Sequence, residues 1–116
     1  MIENLANEQG VDASFFVWGR CLPTEVFVAH SAGAECVKLF PVSNLGPGFI
    51  KDLLGPLPNS KLIAVGGVGL HNLKSYLQAG AIAAGIGNSL ISGKLVKDAG
   101  EEEIYLRVKE YVEGCL

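Results

Sequence analysis

"ECVKLFPV", residues 35–42, reads as a short β-strand with a single charge set inside it. Successive strand side chains point to opposite faces, so Cys36, Lys38 and Phe40 share one face and Val37 and Leu39 share the other. Pro41 stops the run because it brings no N–H to a ladder. Burying an ammonium is costly unless it is paired, neutralised or used chemically. Lys38 therefore has two readings. It is a strand-end lysine carrying its charge out to solvent, or a desolvated amine that attacks a carbonyl to form a Schiff base.

Working outward, strand-like and helix-like runs alternate from residue 14 onward. "SFFVWG" (14–19) is an apolar run ended by Gly19. "LPTEVFVAHSAG" (22–33) opens a helix with Pro23 and Glu25, puts Val26, Ala29 and His30 on one face, and closes on Gly33. "PGFIKDLLG" (47–55) carries a stripe of Phe49, Ile50, Leu53 and Leu54 and is cut off by Gly55-Pro56. "KLIAV" (61–65) is a third strand. "LHNLKSYLQAG" (70–80) spaces Leu70, Leu73 and Leu77 helically, and "AIAAGIG" (81–87) is a fourth strand. "NSLIS" (88–92) predicts one helical turn. "EEEIYLRVKEYVEG" (101–114) is a final helix, with Ile104, Val108, Tyr111 and Val112 as its buried face.

This alternation with continuous apolar strands predicts an α/β fold, a parallel sheet covered by helices, in about four βα units. Residues 1–13 form an N-terminal segment without a readable pattern, in which "IENLANEQG" is compatible with a helix capped by Gly10. Residues 14–116 form the βα array.

With 49% apolar and 18% charged residues, the chain is a cored globular protein and not a disordered one. A net charge of −3 without a dense Lys/Arg run argues against a nucleic-acid partner. No apolar stretch approaches the roughly 18 residues of a membrane helix, and the acidic-polar start is unlike a signal peptide, so a cytoplasmic location is expected. Cys21, Cys36 and Cys115 lack metal-site spacing, and His30 and His71 each stand alone, so no metal centre is expected.

Two glycine loops follow consecutive strands: Gly66-Gly67 after "KLIAV", and Gly87-Asn88 within "GIGNS". In parallel α/β folds ligands collect at the carboxyl ends of strands, and Lys38 lies near the end of its own. Amides of such loops beside helix starts bind phosphate. The plain alternative is turn chemistry. "GIGNSL" lacks the third glycine of a dinucleotide fingerprint.

"AGAECVKLFP" (32–41), "LIAVGGV" (62–68) and "AGIGNSLI" (84–91) together resemble the class I aldolases that act on 2-keto-3-deoxy-6-phosphogluconate and 4-hydroxy-2-ketoglutarate. The resemblance spans about residues 17–92. It implies a half of a TIM-type (β/α) barrel, the C-terminal one. Lys38 takes the place of the Schiff-base lysine, Phe40 and Pro41 follow in register as substrate contacts, and Gly66, Gly67, Gly87 and Asn88 form the phosphate loops. The implied reaction cleaves 2-keto-3-deoxy-6-phosphogluconate to pyruvate and glyceraldehyde 3-phosphate, without metal or organic cofactor.

Partners would be a phosphorylated 2-keto acid or pyruvate, with homo-oligomers or pairing to a second half-barrel closing the fold. "WGRCLPTE" (18–25) resembles the family's "PGxxTPTE", but with Trp18 for proline and Leu22 for threonine. Val65 stands where many members carry threonine. The family's general-base glutamate and substrate arginine lie on earlier strands, and Glu25 reads as a helix-start charge. A non-catalytic half-barrel and a thiamine-phosphate synthase relative are the competing readings.

Overall fold

A computed structural model of the chain describes residues 22–115. The "SFFVWG" strand, Trp18, Cys21 and the 1–13 segment lie outside the described residues. Helix α1 (Pro23–Ser31) starts where Leu22 is still extended and Pro23 supplies a pre-set first-turn φ. It ends at Gly33, whose φ of +99° lets its amide reach the His30 carbonyl at 3.0 Å. Strand β1 (Val37–Leu39), helix α2 (Pro47–Leu54), strand β2 (Leu62–Val65), helix α3 (Leu73–Gln78) and strand β3 (Ala83–Gly85) follow. Helices α4 (Gly93–Asp98) and α5 (Glu101–Gly114) complete the described chain.

The three strands form one parallel sheet in the order β1-β2-β3. Each crossover carries a helix, as parallel pairing requires. Val37 pairs with Leu62, Lys38 with Ile63 and Leu39 with Ala64, and Ile63 in turn pairs with Ala83. Burial follows this register. Val37, Leu39, Leu62 and Ala64 are buried and share one core cluster with Ile50 and Leu53 of α2 and Leu73 and Tyr76 of α3. The other face is open: Lys38 is exposed and Ile63 and Val65 are only half-buried. The result is an α/β half-barrel arrangement, with helices outside and an inner face left uncovered among the described residues.

Among the described residues Lys38 has the geometry of the first of its two readings, a strand-end lysine open to solvent. Within the described residues nothing covers the face that carries it, and Phe40 beside it is itself 48% exposed. Other boundaries move for local reasons. Residues 70–72 form a turn instead of the first turn of α3. There the Asn72 side chain reaches backward, accepting from the Gly69 amide at 2.8 Å and donating to the Gly67 carbonyl at 3.0 Å.

Residues 88–90 form the single turn expected there, held by the Leu90 and Ile91 amides on the Gly87 carbonyl, and it does not continue as a helix. The unexpected α4 is capped by Ser92, whose hydroxyl accepts from the Leu95 amide at 3.1 Å. Helix α5 has the expected limits but not the expected buried face. Tyr111 is buried and Ile104 half-buried, while Val108 and Val112 are exposed because α5 is anchored to the core through Tyr111.

The end of β1 is fixed by Val42. Its amide donates to the Val65 carbonyl at 3.0 Å, and its carbonyl accepts from the Leu45 and Gly46 amides and from the Tyr76 hydroxyl at 3.0 Å. Burial raises the Tyr76 hydroxyl above its usual pKa of 10.0, because the phenolate is the form burial disfavours. Replacing Tyr76→Phe loses one buried hydrogen bond without orphaning the carbonyl, and should lower stability by about 1 kcal/mol at neutral pH.

A raised folded-state pKa means this contribution is fully present below pH 10 and is lost as pH climbs through the folded value. The wild type should therefore weaken in alkali more steeply than Tyr76→Phe. Urea unfolding of both proteins, at neutral pH and above pH 10, checks both expectations.

Candidate active site

The site lies at the carboxyl ends of the three strands. Phe40 follows β1, Gly66-Gly67 follow β2 and Gly85–Ser89 run on from the end of β3, and together they line a cavity of about 490 Å³. Five residues singled out in the sequence meet there: Phe40, Gly66, Gly67, Gly87 and Asn88. Lys38 and Pro41 do not line it. The Lys38 ammonium stands 5.9 Å from the centroid of the Phe40 ring, a cation–π contact that puts it at the cavity's edge. At an exposed position such a contact is worth roughly 0.5–1 kcal/mol. The register places Lys38 beside Ile63 and, one strand further, Ala83, whose small side chain leaves the inner face open. The Phe40–Pro41 peptide is cis.

The glycines at the β2 end are there because nothing else fits. Gly66 and Gly67 have φ of +92° and +74°. A Cβ on Gly66 would lie 2.9 Å from Phe40 Cδ2 and 3.0 Å from Pro41 Cα. One on Gly67 would lie 2.5 Å from Ser43 Cβ. The β1 and β2 ends are thus pressed together, with Pro41 behind Gly66. Gly87 is different: a Cβ there would meet nothing within 4 Å.

One expectation about the loops needs correction. Neither leads directly into a helix, since α3 starts at Leu73 and α4 at Gly93. No helix dipole is therefore aimed at them, and any anion would rest on the amides alone. Among the described residues, the amides of Gly66, Gly67, Gly87 and Asn88 take no part in the main-chain hydrogen bonds that shape these loops. Four donors at the cavity wall suit an anion with several oxygens.

Ser89, passed over in the sequence, also lines the cavity and donates its hydroxyl to the Val68 carbonyl at 2.8 Å, joining the two loops. The sequence signal was its place in "GIGNS". Glu25 sits in the first turn of α1 with Oε2 buried and without a partner among the described residues. His30 is half-buried, its Nδ1 2.8 Å from the Ala34 carbonyl. Cys36 and Cys115 are free thiols.

Gly67→Ala should destabilise the chain by about 1–3 kcal/mol, the cost of a non-glycine residue held at positive φ. The Ser43 collision adds to it. Gly87→Ala should stay within about 0.5 kcal/mol of wild type, like an ordinary surface change. Paired urea titrations of the two variants measure this difference, and equal stabilities would disprove the crowding at Gly67.

The family model for Aldolase: KDPG and KHG aldolase matches residues 2–106. The chain is 38% identical over 97 residues to 2-dehydro-3-deoxy-6-phosphogalactonate aldolase of Escherichia coli (strain K12), covering 83% of this chain and 47% of that protein. It is 34% identical over 92 residues to 2-dehydro-3-deoxy-phosphogluconate aldolase of Haemophilus influenzae, covering 78% and 43%. A solved native KDPGal structure superposes with a TM-score of 0.68 at 36% identity, over 83% of this chain and 47% of that one. The chain spans about half the length of the curated relatives it matches.

Proposed function

The chain belongs to the KDPG and KHG aldolase family, and from that membership we infer that it serves reversible cleavage of a 2-keto-3-deoxy-6-phospho sugar acid to pyruvate and glyceraldehyde 3-phosphate. The gluconate compound is the substrate read from the sequence, and the relatives' names include both it and the galactonate form. The observation that carries the reading is one cavity at the strand ends that gathers Phe40 with both glycine loops, with the Lys38 ammonium at its edge. Family membership sets aside the thiamine-phosphate synthase alternative.

In this reading the Lys38 amine adds to the C2 carbonyl of the substrate and water leaves, giving a protonated imine. The C3–C4 bond then breaks. Its electron pair flows into the iminium to form an enamine, and the C4 hydroxyl gives up its proton as the aldehyde departs. Protonation of the enamine at C3 and addition of water release pyruvate and restore the amine. Gly66, Gly67, Gly87 and Asn88 hold the phosphate, and Phe40 borders the reacting carbons, with Pro41 behind Gly66 backing the rim. The proton acceptor is a carboxylate that the family resemblance places on earlier strands.

The open inner face favours a second reading, a half-barrel that binds ligand or a partner without turning over by itself. Lys38 is exposed there, with no cover among the described residues to dry it. An uncovered apolar sheet face with free strand edges is an interface or an aggregation liability. A second half-barrel, from another copy or from further βα units, would close it. No helix among the described residues is long and apolar enough to cross a membrane, and a cytoplasmic location belongs to the same proposal.

Incubation with pyruvate and borohydride should leave a reduced adduct that peptide mapping places on Lys38, and Lys38→Met should leave none. Labelling elsewhere, or none under conditions that label a full-length relative, would disprove the imine. The 116-residue chain should also sediment above monomer mass. Its pyruvate release should lag a full-length relative by roughly 10²–10⁴-fold, the usual worth of general acid–base help. A stable monomer with family-like turnover would overturn the half-barrel reading.

A further inference from the structure

Ser89 joins three parts of the molecule. Its hydroxyl donates to the Val68 carbonyl in the loop after β2. Its carbonyl accepts twice from α5, from Arg107 Nη2 at 2.9 Å and from the Tyr111 hydroxyl at 3.0 Å. Ser89 itself lines the 490 Å³ cavity next to Asn88. The loop is otherwise held by its own turn, with the Leu90 and Ile91 amides on the Gly87 carbonyl. Two donors from a distant helix on one carbonyl are more than a turn requires. Tyr111 is also the one residue of α5 in the buried core, so the helix is fixed at the point where it reaches the loop.

We propose that Arg107 and Tyr111 are positioning residues: from α5 they clamp the Ser89 carbonyl and so hold the Gly87 and Asn88 amides in the arrangement that binds phosphate. This rests on the phosphate reading of the loops. The physical case is preorganisation. Amide donors that already point at the anion lose little freedom on binding, whereas a loose loop must be ordered first. A charged donor strengthens the clamp, because hydrogen bonds from guanidinium are shorter and stronger than neutral ones. Neither side chain needs to touch the phosphate for the effect to appear.

The test uses the whole chain with Tyr111→Phe, Arg107→Gln and Arg107→Lys. Tyr111→Phe keeps the buried ring and Arg107 is exposed, so both variants should fold. Titration with inorganic phosphate, read from the amide resonances of Gly66, Gly67, Gly87 and Asn88, should show binding weakened roughly threefold to tenfold in Tyr111→Phe and in Arg107→Gln, about one hydrogen bond's worth. Arg107→Lys should recover part of the loss.

Without phosphate, hydrogen exchange at Leu90 and Ile91 should speed up in the same variants. Wild-type phosphate affinity in both Tyr111→Phe and Arg107→Gln, with unchanged exchange, overturns the clamp while leaving the phosphate site standing. A wild-type chain whose four amides do not respond to phosphate overturns the site, and the clamp's role with it, even if exchange still responds.

Discussion

The hydrogen bond from the Val42 amide to the Val65 carbonyl continues the pairing of β1 and β2 beyond Pro41, which has no N–H to give. Most of the rim geometry depends on it. With the strand ends held at that spacing, Phe40, Pro41 and Ser43 stand where side chains on residues 66 and 67 would otherwise project. Only glycine satisfies both the positive φ and the missing space. The Tyr76 hydroxyl, reaching the Val42 carbonyl from α3, ties the outer helix layer to the same point. The cavity wall is therefore set by the core, and its glycines are a consequence of packing as much as a provision for ligand.

The sheet's two faces follow different rules. The helix side obeys ordinary core logic: Leu39, Leu62 and Ala64 meet Ile50, Leu53, Leu73 and Tyr76, and every one of them is buried. On the other side the residues are those of an interior, half-buried and mostly apolar, with an ammonium among them. In a closed (β/α) barrel such inward side chains pack in layers contributed by alternate strands. Here the residues level with Lys38 on the two neighbouring strands are Ile63 and Ala83.

How much of this was legible beforehand depended on where each signal was stored. Period-two alternation in "CVKLF" gave the faces of β1 correctly, and glycine–proline punctuation gave the ends of α1 and α2. The glycine loops were visible because glycine has few other reasons to appear in pairs after an apolar run. Three things were not visible. Which of its two readings Lys38 takes depends on what covers the sheet, which no local pattern encodes.

The late start of α3 depends on Asn72 bonding backward to Gly67 and Gly69, a choice made by one side chain against helix propensity. The bare face of α5 arose because a helical stripe says what can be buried, not what is available to bury it. Ser89 was missed for a related reason: its contacts run to Val68, Arg107 and Tyr111, residues remote in the chain.

The strand order β1-β2-β3 has a further consequence, for how the molecule forms. Each strand pairs with the one that follows it in the chain, separated by a single helix, so every ladder closes a loop of similar and moderate size. Loop closure costs entropy that grows only slowly with length, and short, repeated closures keep sequence separation between partners low. A sheet of this kind lengthens by one βα unit at a time, each new strand finding an edge that is already made. The chain can thus acquire its core progressively during synthesis, from the amino-terminal side onward, with the ligand rim assembled as the last loops arrive.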